Sequence, residues 1–218
     1  MSNNLERAKE LLPAVILTIL SMIQALALEL FWTRFTESDY LWGIGWHAAI
    51  GWLQLITMFI GILLIWVFYV SFVLRFTWLP TLEDTVIPFF IGLMEFAMID
   101  LMHPDSLSQW CLLLALVFGV ATAASHLTMR RAREDPTNDY FFSQVALASW
   151  RDYRFSILVV VSLAAMAGLL WIFDHNRVLS ILALVISLAG MIYQLDRVRH
   201  YWMHSLVPES SGRGDEGE

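Results

Sequence analysis

The sequence predicts an all-α integral membrane protein, a six-span helical bundle with both termini in the cytoplasm. Three observations lead there. Of 218 residues, 58% are hydrophobic and ten are tryptophan, more apolar surface than one soluble core can hide. Six segments reach or approach the roughly 20 apolar residues that a spanning helix needs. The basic residues fall almost wholly on one side of the connections between those segments.

The first span is expected over residues 11–32. Arg7 and Lys9 precede an apolar run that contains Ala25-Leu26-Ala27, a small-x-small triplet. The segment therefore reads either as a retained span or as a cleaved signal peptide. Retention is favoured because the apolar run continues past the triplet. The second span, residues 43–74, would make a helix of roughly 48 Å against a hydrocarbon core of about 30 Å. It must tilt, protrude or bend, and Gly43, Gly45, Gly51 and Gly61 offer places to bend.

The third span, residues 85–103, has Glu95 in the middle of an apolar run. A carboxylate at bilayer depth is costly unless function requires it. The fourth span covers residues 107–129, and the fifth and sixth cover 155–173 and 178–195. Between the fourth and fifth, residues 137–154 place Phe141, Val145, Ala148 and Trp150 at helical spacing behind Thr137 and Asn138, which can cap a helix. This segment reads as an amphipathic helix in the inner interface, or as an extension of the fifth span. Residues 1–207 then form one domain, and the acidic, Gly- and Ser-rich residues 208–218 a disordered tail.

Orientation follows from the loops. With the amino terminus inside, Arg7, Lys9, Arg75, Arg130, Arg131, Arg133, Arg151, Arg154, Arg197, Arg199 and Arg213 lie on the cytoplasmic side, and only Arg34 and Arg177 lie outside. The expected location is a plasma membrane of the bacterial inner-membrane type. Trp32, Trp42, Trp46, Trp110 and Trp171 then fall near the outer interface, and Trp78, Trp150 and Trp202 near the inner one.

The net charge of −7 argues against a nucleic-acid partner. Cys111, the single cysteine, excludes an intramolecular disulfide and a thiolate metal cluster. The expected partners are the lipid bilayer, a second copy of the chain and a cytoplasmic protein. No cofactor is specified.

Several spans collect small and polar residues on one face, which should look into the bundle. These are His47, Gln54, Thr57 and Gly61 in the second span, and Pro88, Gly92, Glu95 and His103 in the third. The fourth contributes Cys111, Ala115, Thr122 and His126, and the sixth Ser180, Ala183, Ser187, Gly190 and Gln194. On the sixth, close helix packing explains the pattern better than a binding role.

The candidate site is built on Glu95. Glu29, His47, Asp100 and His103 would form an outer vestibule leading to it, and His126 an inner relay, for a bound cation or a passing proton. Each of these residues also has a structural reading, as a hydrated interfacial side chain or an interhelical hydrogen-bonding group. The first functional expectation is a small cation or proton channel or transporter.

A non-catalytic membrane subunit that docks a partner is the alternative. A haem- or metal-binding redox protein stands third, on His47 and His103 at one face and His126 and His200 at the other. Asp100 and His103 alone are too few to define a metal site. Lys9, the single lysine, precedes the first span, so no Schiff base forms in the bundle. The chain lacks a His-Glu-x-x-His pair, a Gly-x-Ser-x-Gly elbow, a phosphate loop and the repeated arginines of a voltage sensor.

Overall fold

The computed structural model describes residues 2–78, 81–144, 153–173 and 176–205, and the regular structure among them is entirely helical. The helices are α1 (Ser2–Glu37), α2 (Trp46–Arg75), α3 (Leu82–Asp100), α4 (Leu107–Arg133), α5 (Asp139–Gln144), α6 (Arg154–Ile172) and α7 (Arg177–Ser205). Single 3-10 turns occur at Asp39–Trp42, Pro104–Ser106 and Pro136–Asn138.

Five stretches are long and apolar enough to cross a membrane: Leu11–Glu37, Trp46–Arg75, Pro104–Arg133, Arg154–Ile172 and Arg177–Arg199. The chain is a multi-pass membrane protein on that ground. The third predicted span is also a helix, α3, but it stands apart from these five. Its 19 residues include Glu83, Asp84, Glu95 and Asp100.

Local chemistry marks several helix boundaries. Gly45 precedes α2 with φ of 138°, a conformation that other residues rarely adopt. The glycines expected to bend the second span at its outer end therefore divide. Gly43 and Gly45 lie before the helix, so α2 starts later than the apolar run does. Gly51 lies within it, where a methyl group would come within 2.5 Å of the Tyr40 ring. The α3 helix opens on a capping box, in which the Asp84 carboxylate accepts from the Thr81 backbone N–H at 2.8 Å. Arg130, Arg131 and Arg133 close α4, where cations complement the helix dipole.

The long helices form a ring whose neighbours, in order, are α1, α2, α7, α6, α4 and α3, with α3 returning to α1. Side-chain contacts fix their directions. Arg34 Nη2 donates to the Asp100 carbonyl at 3.0 Å, while Gln24 meets Glu95, so α1 and α3 run parallel. Arg131 Nη1 donates to Asp84 Oδ2 at 2.8 Å, which sets α4 antiparallel to α3. Ser125 and Tyr153 are 3.3 Å apart where α4 ends and α6 begins, and Gln194 donates to Ser156 where α7 descends beside α6. The α3 helix therefore runs the length of the ring, tied by Asp84 at one end and by Asp100 at the other.

Among the described residues, Lys9, Arg75, Arg131, Arg133, Arg154, Arg197 and Arg199 gather at one end of the ring, the basic end, while Arg34 and Arg177 mark the other. The apolar core runs through all six long helices. A second cluster at the basic end joins Phe72, Phe76, Trp78 and Ala132 with Phe141 and Phe142 of α5.

The polar stripes face inward, as expected from the sequence, with Gln54, Thr57, Cys111, Ala183 and Ser187 fully buried. His47 departs from its stripe and is exposed. On α7 the stripe is a packing surface, since a methyl on Gly190 would sit 3.2 Å from Val159 of α6. Trp32, Trp42, Trp46 and Trp171 are exposed, as interface anchors should be. Trp110 and Trp78 are not anchors, at 0% and 2% exposure they are core residues.

The amphipathic helix expected over 137–154 lies partly outside the described residues, which stop at 144 and resume at 153. Within them, α5 is short and begins at Asp139, so the capping expected of Asn138 is replaced by another role. Its amide donates to the Thr77 and Ala132 carbonyls, each at 2.7 Å. The predicted acidic tail, residues 208–218, lies outside the described residues.

Candidate functional site: a carboxylate at the head of a cavity

Glu95 stands just past the middle of α3 and is 2% exposed. Its environment is set by how closely α1 approaches. Gly92, one turn earlier, makes the approach feasible, because a methyl there would lie 2.3 Å from Ile23 Cγ2. The next residue of α1, Gln24, then reaches the carboxylate, and its Nε2 donates to Glu95 Oε2 at 2.8 Å. Glu95 Oε1 and Gln24 Oε1 are buried without a hydrogen-bond partner. A carboxylate held so far from water either carries a proton or pairs with a cation.

Glu95 also forms part of the wall of a cavity of about 200 Å³ lined by α2, α3, α4, α5, α6 and α7. Around it the wall is apolar, with Met58, Ile91, Met98 and Leu114, while Thr122, Ser125, Tyr153, Ser156 and Gln194 add hydroxyl and amide groups. Arg75 and Arg197 close the wall at the basic end. Arg75 lies against Phe141, its guanidinium carbon 4.0 Å from the ring centroid. The register of α2 against α3 is fixed by Gln54 donating to the Leu101 carbonyl at 3.5 Å and Tyr69 to the Asp84 carbonyl at 3.5 Å. Glu95 is thus level with Met58, and Arg75 lies roughly 25 Å further along α2.

The remaining sequence candidates lie elsewhere. Glu29 is exposed on α1, and His47 is exposed in the first turn of α2. Asp100 is exposed at the end of α3. His103 is half-buried against Tyr40, ring centroids 5.0 Å apart, and its Nδ1 accepts from the Asp105 backbone N–H at 3.3 Å. His126 is buried with its ring edge-on to Tyr153 at 5.4 Å. Only Glu95 of the expected set forms part of the cavity wall. Among the described residues no three His, Cys, Asp or Glu side chains converge to hold a metal ion.

Gln24 was not among the sequence candidates, although an amide inside an apolar span is a signal of the same kind as Glu95. The closure of the basic end was equally unforeseen. Arg131 Nη1 donates to both Thr81 Oγ1 and Asp84 Oδ2 at 2.8 Å. Lys9 donates to Asp135, whose carboxyl is held below the usual range chiefly by that hydrogen bond, against the opposing effect of burial and with further help from the Thr137 hydroxyl and backbone N–H. No protein-family model, curated protein or solved structure matches the chain.

Proposed function

We propose that the protein is a six-span membrane transporter that binds a cation, the proton included, at Glu95. The single observation that carries this reading is the carboxylate itself. It is buried at the head of a cavity between the helices, one oxygen held by Gln24 and the other without a partner. A helix whose only duty is packing has little use for an acid there, because burying a charge or an unsatisfied oxygen destabilises the fold.

In this reading α3 crosses the bilayer beside α1 despite its acids. Asp84 and Asp100 lie at its two ends, about 24 Å apart along a helix axis, which leaves Glu95 as the acid within. The basic end faces the cytoplasm by the positive-inside rule, so both termini are cytoplasmic and the membrane is a plasma membrane of the bacterial inner type. Glu29, His47, Asp100 and His103 then belong to the outer surface.

The test is flux into proteoliposomes under an imposed proton gradient, then under sodium and potassium gradients, for wild type, Glu95→Gln and Glu95→Asp. The reading requires a wild-type flux that Glu95→Gln abolishes and Glu95→Asp retains in part. Flux that persists undiminished in a folded Glu95→Gln variant overturns it. Absence of any flux in wild type favours a partner-docking subunit instead.

A further inference from the structure

We infer that the cargo of the Glu95 site is a hydrophobic organic monocation. The inference rests on the transport reading above and adds the substrate class. A small inorganic ion gives up its hydration shell only to a ring of oxygens, typically six or more for a divalent cation or a set of aligned carbonyls for a monovalent one. Glu95 offers one unpartnered oxygen and the adjoining Gln24 a second, two in all, and the cavity wall beside Glu95 is formed by Met58, Ile91, Met98 and Leu114. No third acidic or imidazole ligand converges on it among the described residues. A sodium or potassium ion at this place would be left underliganded.

An organic ammonium or phosphonium ion has the opposite requirements. Its charge is diffuse and weakly hydrated, so one carboxylate suffices to neutralise it, and its bulk needs apolar and aromatic walls. The cavity supplies both. Phe68, Phe72 and Phe118 line it. Met58, Met98, Met129 and Met191 present flexible, polarizable thioethers of the kind that adapt to varied apolar shapes.

The other charged groups of the wall, Arg75 and Arg197, lie at the basic end, and Arg75 is roughly 25 Å from the level of Glu95. They orient a cation with its charge toward Glu95. Proton and organic cation compete for the same oxygen, so one leaves as the other binds.

The experiment measures binding of benzyltrimethylammonium to the purified full-length protein in detergent by calorimetry, with tetramethylammonium as the cation lacking an apolar body. Proton flux is recorded on the same preparations in liposomes. The expected result is one benzyltrimethylammonium per chain and at least tenfold weaker binding of tetramethylammonium. Glu95→Gln should weaken the first by more than thirtyfold.

Ala121→Phe, which fills the cavity wall without touching the acid, should abolish binding as well and carries the test where Glu95→Gln fails to fold. No binding of benzyltrimethylammonium to wild type, or equal binding to wild type and both variants, overturns the inference. If Glu95-dependent proton flux persists in that case, only the substrate class falls. If flux is absent too, the transport reading falls with it.

Discussion

Gln24 and Glu95 meet between two parallel helices, the amide donating to one carboxylate oxygen at 2.8 Å while the other oxygen is buried without a hydrogen-bond partner. The pair divides the labour of the carboxylate. One oxygen is held in position by the amide, and the other is left unpaired. Gln24→Leu keeps the side-chain volume and removes the donor, leaving a second buried oxygen unsatisfied. Its expected cost is about 1–3 kcal/mol, read from unfolding in mixed micelles, with weakened cation binding in the same variant.

Gly92 sets the distance between α1 and α3. A methyl group there collides with Ile23 Cγ2, a branch at Cβ with little freedom to move aside. Gly92→Ala should destabilise by about 1–3 kcal/mol, and adding Ile23→Ala should recover part of that loss by removing the obstructing atoms. A double-mutant cycle on melting temperature reads the coupling directly, and strictly additive losses would argue against the close approach.

Arg131 binds Asp84 where α3 begins, with Asp84 almost wholly buried. Arg131→Met strands that carboxylate and should cost about 3 kcal/mol, while Arg131→Met with Asp84→Asn together should cost less than the single change. Equilibrium unfolding of the three proteins measures the difference.

The Lys9–Asp135 contact ties the start of α1 to the turn after α4 and makes stability depend on acid. Asp135 has a lowered pKa in the folded chain, mainly because Lys9 donates to it. The unfolded chain therefore takes up the proton more readily. The stabilisation is fully present above the ordinary aspartate value of about 3.9 and is lost as pH falls through the lower folded value. Lys9→Met removes the main cause, so the wild-type advantage in melting temperature over Lys9→Met should be constant from pH 7 to about 5 and shrink below about 4. An advantage that grew on acidification would contradict the assignment.

Five of the six expected spans, and the buried faces of the helices, were legible because bilayer depth imposes a length and a periodicity on each helix separately. Glu95 was legible for the same reason, being the acid in the middle of its apolar run. What the sequence withheld was relational. The ring order, in which α2 neighbours α7 and α1 runs beside α3, depends on matching surfaces such as Gly92 against Ile23 and Gly190 against Val159.

Glu29 and Asp100 entered the outer vestibule on depth, which does not say which side of a helix faces the bundle, and both are exposed. His47 entered on its stripe as well, but in the first turn of α2 it too is exposed. Trp110 illustrates the same limit: a tryptophan at the right height for an anchor is instead buried between helices.

Whether a ligand reaches Glu95 through the cavity is tested most directly by covalent labelling. Dicyclohexylcarbodiimide, an apolar reagent that adds to carboxylic acids, is applied to the protein in liposomes and the adduct is located by peptide mass. The account predicts modification at Glu95, absence of that adduct in Glu95→Gln, and slowed labelling in Ala121→Phe and in the presence of benzyltrimethylammonium. An unmodified Glu95 in a protein whose exposed carboxyl groups are labelled would contradict it.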